Sequence, residues 1–186
     1  METVTTAMST SSQHESIIAE GKKIFLDKMK DYGTAWRILR GSSVTDQIFI
    51  KAQRIRSIEE KGIQKVDDGI NNEFLGIINY CIIALIQTEK GSTTENTEMN
   101  SEEVVKLYDK YAMESRRLME DKNHDYGEAW RGMRTSSMTD LILMKLLRIK
   151  QIEDNEGQTI ISEGLDANFM DIINYSVFAL IKLNEN

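Results

Sequence analysis

At 186 residues with 40% hydrophobic content, the chain is long enough to bury a core, either as one good-sized domain or as two small fused ones. Lys and Arg number 23 against 30 Asp and Glu, a net charge of -7, which argues against strong non-specific attraction to a nucleic-acid backbone. The single cysteine, Cys81, excludes an intrachain disulfide, no zinc-site spacing is present, and the longest apolar runs are interrupted by Lys, Arg or Asn, too short to span a membrane; the cytoplasm is the natural compartment.

Residues 1–13 (METVTTAMSTSSQ) are Ser/Thr-rich, with neither the basic start nor the apolar run of a signal peptide, and are expected to be a disordered tail. Beyond them the chain reads as helix: it has no proline, its glycines fall between periodic segments, and apolar residues recur at three and four. The first helix is expected over about 14–30, ended by Gly33 of Asp31-Tyr32-Gly33-Thr34-Ala35-Trp36-Arg37 in a left-handed conformation. A short helical turn carries Ala35-Trp36-Arg37. The second long helix is expected to start at Ser43, with Asp46 in a capping-box position, and to end before Gly62; the last helix of this half covers about 70–88. Residues 90–100 (KGSTTENTEMN) form a polar linker.

The same order then returns. A helix over about 101–123, opened by Asn100 with Glu103 three residues on, leads to Gly127 and a short Ala129-Trp130-Arg131 turn; a helix from Ser137 with Asp140 ends before Gly157, and a last one covers about 166–183. Asp31 falls on Asp125 at an offset of 94, which holds to Glu59/Glu153 and becomes 95 after one inserted residue. The fold class is therefore all-α: a tandem repeat of a small helical unit, three long helices plus one short, packed as a pseudo-twofold helical bundle, with repeat 1 over 14–89 and repeat 2 over 101–186. The duplication replaces a homodimer within one chain, and leftover apolar helix faces leave a homodimer of whole chains open.

Polar residues interrupt the apolar helices in a repeated pattern. Lys51 and Arg54, and again Lys145 and Arg148, sit three apart on otherwise apolar helices, so they must snorkel, pair with carboxylates, or face a cavity that holds an anion such as phosphate. The last helices carry the opposite chemistry, with stripes of Glu73, Gly76, Asn79, Tyr80 and of Asn168, Asp171, Asn174, Tyr175. Each half keeps one member of a Glu-x-x-Asp pair. Carboxylates three apart can jointly hold magnesium, which in turn holds phosphate oxygens; a single buried carboxylate paired with the Lys/Arg pair is the competing account. Asp31 and Asp125 join Glu73 and Asp171 as candidate metal ligands, while Asn79, Tyr80, Asn174 and Tyr175 are candidate orienting groups. Trp36 and Trp130 read as core anchors, with base stacking the alternative, and Asp46 and Asp140 read as helix caps. No Gly-rich phosphate loop or nucleophile elbow is present.

Lys-x-x-Asp-Tyr-Gly-x-Ala-Trp, then a helix with Lys-x-x-Arg-Ile, then an acidic position followed by Asp-Ile-Ile-Asn-Tyr resembles the nucleotide modification associated domain 1 family, in a tandem form covering roughly 14–89 and 101–184. The helical pattern is also similar to the all-α nucleoside triphosphate pyrophosphohydrolases, whose magnesium sites use Glu-x-x-Glu and Glu-x-x-Asp helices. Only Glu73 and Asp171 match the second of those motifs, and they would have to meet across the pseudo-twofold. What the resemblance implies is a nucleotide-associated helical protein. Two functions stay open: a magnesium-dependent nucleotide pyrophosphohydrolase, or a non-catalytic nucleotide-binding or scaffold module whose acidic motifs have degenerated.

Overall fold

A computed structural model describes residues 8–62 and 69–185. Residues 1–7 of the expected tail lie outside the described residues. Helix α1 starts earlier than expected, running Thr10–Tyr32 with the Ser9 hydroxyl accepting the backbone N–H of Ser12, so residues 10–13 are helical. The other long helices are α2 (Gly41–Lys61), α3 (Ile70–Lys90), α4 (Ser101–Tyr126), α5 (Thr135–Asp154) and α6 (Leu165–Glu185), and short 3-10 turns cover Ala35–Ile38 and Ala129–Gly132. All regular structure among the described residues is helical. The polar stretch after α3 forms no helix and separates the repeats.

Helices α3 and α6 pack against each other at the centre, α2 lies on α3, α5 on α6, and α2 meets α5; α1 and α4 close the flanks. The most apolar segments of the sequence become the two central helices, buried nearly all round from Glu73 to Gln87 and from Asn168 to Ile181. Length and composition alone would let Ile70–Lys90 cross a membrane, contrary to the expectation that no run is long enough, but 72% of that window is buried inside the bundle. Its apolar surface is spent on the core.

The pseudo-twofold is visible atom by atom. Along the α2/α5 seam the Thr45 hydroxyl donates to Glu153 at 2.7 Å and its counterpart Thr139 donates to Glu59 at 2.9 Å. Burial pushes both glutamates above the usual carboxylate range, with the threonine bonds pulling back. Lys150 pairs with Asp46 at 2.9 Å and Arg56 with Asp140 at 3.6 Å, again counterparts. Asp46 and Asp140 are therefore cross-repeat ion-pair partners, not caps: α2 and α5 start two residues earlier than expected, after Arg40 and Arg134, with no side-chain cap at either. Asn100 does cap α4, accepting from the N–H groups of Glu102 and Glu103.

A second symmetric device ties the flanking helices to the centre. Asn79 on α3 donates to the Gly21 carbonyl at 2.9 Å and accepts from the Tyr108 hydroxyl at 2.8 Å. Asn174 on α6 donates to the Ser115 carbonyl at 2.9 Å, and its carbonyl oxygen lies 3.1 Å from His14 Nε2, which donates. Gly21 and Ser115 are repeat counterparts, as are His14 and Tyr108. Each asparagine thus binds the first helix of its own repeat through its amide and the first helix of the other repeat through its oxygen. Gly21 also leaves room here, since a Cβ would sit 3.4 Å from both Asn79 Oδ1 and the Tyr108 hydroxyl.

Burial holds the His14 pKa below the ordinary 6.5, against the bond to Asn174, with Arg116 adding to the effect and Glu120 and Glu15 opposing it. The unfolded chain therefore takes up this proton first, and the His14 contribution to stability is complete above pH ~6.5 and declines as pH falls below it. Urea unfolding at pH 7.5 and 5.5 should show a larger stability loss on acidification for wild type than for His14→Gln. Equal losses would mean that His14 is not held neutral in the fold.

Candidate functional site

The repeated DYGxAWR segment builds one wall of the site. Gly33 takes a φ of 59° with a ψ of -139°, a backbone conformation that residues with a side chain rarely adopt, and the Glu98 carboxylate of the linker lies over it, 2.8 Å from where a Cβ would be. The Thr34 hydroxyl donates to the Thr97 carbonyl at 2.6 Å and accepts the Met99 N–H at 2.9 Å, lacing the linker onto the turn. From below, the Gln87 amide donates to the carbonyls of Arg37 at 3.0 Å and Leu39 at 2.7 Å, while its oxygen accepts from Arg37. These bonds use both ends of Gln87 to fix the 3-10 turn that presents Trp36. In repeat 2 the counterpart of Gln87 is Lys182, whose ammonium donates to the Arg131 carbonyl at 2.6 Å, and Arg131 lies 4.4 Å over the Trp130 ring. The arginine of the motif is architectural in both copies.

Beneath Trp36 a cavity of about 650 Å³ opens between α1, the 3-10 turn and α3, within the size range of small-molecule sites. Phe25, Trp36, Tyr32 and Tyr80 give it aromatic walls, and Lys28, Lys51, Glu73 and Asn79 give it polar ones. Trp36 is half-buried, not a sealed core anchor. Repeat 2 differs at the same place. Trp130 is buried and stacked on Phe178, with centroids 4.2 Å apart and planes 6° from parallel, whereas the residue at the Phe178 position in repeat 1 is Ile83.

The charges beside the tryptophans are also distributed differently. In repeat 1 the buried carboxylate of Glu73 accepts from Lys51 at 3.3 Å and from Arg54. In repeat 2 the Glu73 position is Asn168, which donates to the Gly164 carbonyl at 2.8 Å, and the carboxylate comes from Asp171 at the Gly76 position. Asp171 accepts from Lys145 at 2.7 Å through one oxygen and from Lys122 at 2.5 Å through the other. Burial opposes the charge of Lys122, but the bond and charge of Asp171 prevail and hold its pKa above the ordinary lysine value.

Of the residues singled out by sequence, Lys51, Glu73, Asn79 and Tyr80 come together around the cavity, with the Lys51 ammonium 6.0 Å from the Tyr80 ring. Lys145 and Asp171 meet in the buried pair of repeat 2, beside half-buried Tyr175, whose hydroxyl pKa is pushed up by burial and by Asp171. Arg148 does not join them: it is exposed and lines a separate groove with Asn168 and the loop after α5. Asp31 and Asp125 are exposed at the ends of α1 and α4, where Asp125 contacts His124 at 3.2 Å. Asn79 and Asn174 are occupied by the helix interlock. The donor set does not fit the expected magnesium site, because Glu73 and Asp171 each already hold two cations and no three acidic, His or Cys groups among the described residues cluster suitably.

The motifs alone do not single out Lys28 and Lys122 or the Ile83/Phe178 exchange as site residues. The signal was present in the offset: Lys28 and Lys122 are identical counterparts, and the 83/178 position changes from aliphatic to aromatic.

The family model described as nucleotide modification associated domain 1 matches the chain twice, over residues 28–88 and 122–183. No curated protein and no solved structure gives a match. The two matched segments hold Lys28, Trp36, Lys51, Glu73 and Ile83 in one copy and Lys122, Trp130, Lys145, Asp171 and Phe178 in the other.

Lys145 is 7% exposed, so removing its counter-charge leaves a cation with little access to water. Asp171→Asn should cost about 3–5 kcal/mol in chemical unfolding, and adding Lys145→Met should recover most of that loss. A single-variant cost below about 1 kcal/mol would show that the pair is solvated.

Proposed function

The chain belongs to the nucleotide modification associated domain 1 family, in tandem form, and from that membership and the cavity of repeat 1 we propose that it is a nucleotide-binding protein with its working pocket in the first repeat. The observation that carries the reading is the combination, in one opening of about 650 Å³, of a half-buried tryptophan face with two lysines. An aromatic face stacks a nucleobase at little cost in sequence preference, and ammonium groups on flexible stems meet phosphate oxygens. Tyr80 and Tyr32 supply further apolar wall and hydroxyls for sugar or base edges.

Binding is favoured over hydrolysis by the state of the carboxylates. A pyrophosphohydrolase would need Glu73 and Asp171 to hold magnesium together, yet each neutralises cations of its own repeat. In this account the acidic motif has become a support: Glu73 anchors Lys51 and Arg54 at the edge of the cavity instead of holding a metal. The deep burial and stacking of Trp130 argue that the second repeat serves as the structural partner of the first.

Calorimetric titration of the whole chain with nucleotides of the common bases should give one site per chain for those that bind. Trp36→Ala should weaken binding by about 10- to 100-fold, the magnitude of a lost base stack, while leaving far-UV circular dichroism unchanged. Affinity unaffected by Trp36→Ala would remove the pocket from the account.

A further inference from the structure

The two repeats supply an internal comparison, since one chain contains the same site twice with different contents. Lys122 and Lys145 of repeat 2 grip the two oxygens of the Asp171 carboxylate, at 2.5 and 2.7 Å. Their counterparts in repeat 1 are Lys28 and Lys51, and the counterpart of Asp171 is Gly76, which has no side chain. Lys28 has no ion-pair partner among the described residues and lines the cavity together with Lys51 and Gly76. The Lys51 stem folds over this position, with Cε 3.1 Å, Cδ 3.2 Å and the ammonium 3.3 Å from where a Gly76 Cβ would be, so the cation stands at the notch and its flexible stem swings aside to admit a ligand. What Asp171 provides in repeat 2, one carboxylate shared by two lysines, no described residue provides for Lys28 and Lys51 together, since Glu73 pairs with Lys51 and Arg54.

The aromatic half of the site repeats the same logic. Phe178 lies flat on Trp130, and its counterpart Ile83 lines the cavity with Trp36, leaving the tryptophan without a stacked ring from α3. Asp171 and Phe178 are seven residues apart on α6, two turns along one face, so the anion and the ring stand about 10 Å apart along the helix axis. A nucleoside monophosphate carries its phosphate closer to the base than this; an extended di- or triphosphate spans it.

We propose that Gly76, Lys28 and Lys51 form a phosphate subsite, and that the ligand of repeat 1 is a nucleoside di- or triphosphate whose base stacks on Trp36 while a β- or γ-phosphate occupies the place that Asp171 fills in repeat 2. This rests on the nucleotide-binding function proposed above and adds to it the length of the phosphate chain. Repeat 2 is a copy of the site closed by its own side chains. Gly76 is the specificity-determining position: its missing side chain leaves the notch to the ligand's phosphate. Lys51 keeps Glu73 within reach through its flexible stem, and Arg54 stays on Glu73 when Lys51 turns to phosphate.

The test is calorimetric titration of the full chain with the nucleoside, monophosphate, diphosphate and triphosphate of each common base. For the base that fits, affinity should rise about tenfold or more between the mono- and diphosphate, the size of a charged hydrogen bond gained. Lys28→Gln, an exposed position whose replacement leaves the core untouched, should abolish that step while leaving nucleoside affinity unchanged. Gly76→Asp should abolish it as well, by supplying the anion from within. A flat series in which Trp36-dependent binding persists would overturn the phosphate subsite and leave nucleotide binding standing, as would a step that survives in Lys28→Gln. Absence of binding by every member would overturn both.

Discussion

A lysine carried on an apolar helix into a helical core has to meet an anion, and the rest of this molecule follows from how that requirement is satisfied twice. Lys51 and Lys145 occupy the same position in the two repeats, but one finds its carboxylate at Glu73 and the other at Asp171, one helical turn further along. The shift is small in sequence and large in consequence. With the carboxylate at Asp171, both Lys122 and Lys145 are neutralised and the space beside the tryptophan is closed by Phe178. With it at Glu73, the Gly76 position carries no side chain of its own and is covered by the flexible Lys51 stem, Lys28 has no ion-pair partner among the described residues, and a cavity remains beside Trp36. A carboxylate that neutralises a buried cation is weak evidence of added stability, since both charges were desolvated to make the pair; here its position decides which half can take a ligand.

Duplication within one chain makes such divergence possible. In a homodimer every substitution would act twice, whereas fused copies can specialise one site and close the other while keeping a shared interface. The interface has been kept. The Thr45/Glu153 and Thr139/Glu59 bonds, the Asp46/Lys150 and Asp140/Arg56 pairs, and the Asn79 and Asn174 interlocks all run in counterpart pairs. Some side chains within this shared pattern differ: Lys150 answers to Arg56 across the seam, and the asparagine oxygens meet Tyr108 in one copy and His14 in the other, where a histidine makes one of the two interlocks sensitive to pH.

Much of the architecture was legible because helical periodicity, glycine placement and an internal offset are local signals. The Asn100 cap, the left-handed stop at Gly127 and the six long helices follow directly from them, whereas Gly33 ends α1 with a positive φ of 59° but a ψ of -139°, outside the expected left-handed helical conformation. Asp46 and Asp140 misled because Ser-x-x-Asp is also what a helix start looks like, and only the packing of α2 on α5 puts a basic residue of the other repeat within reach. The same limitation hid the asparagine interlocks, whose partners are up to 160 residues away in the chain. Glu73, Lys51 and Tyr80 were recoverable as a polar stripe opposite a Lys/Arg pair. Arg148 is exposed while Lys145 is buried, because three-residue spacing sets a rough direction but not whether the longer side chain reaches the core or turns to water. The open and closed states of the two sites depend on the Gly76/Asp171 and Ile83/Phe178 exchanges, which become meaningful only when the cavity walls are seen together.

The two tryptophans, one in each repeat, report directly on that difference. In a ¹H–¹⁵N correlation spectrum of the whole chain the two indole N–H signals can be assigned by Trp36→Phe and Trp130→Phe, and then followed as the nucleoside diphosphate that binds in calorimetry is added. The account predicts that the Trp36 signal moves with saturation at one equivalent while the Trp130 signal, stacked on Phe178 and buried, stays in place. Movement of Trp130 with Trp36 unchanged, or equal movement of both, would contradict an open first repeat and a closed second one.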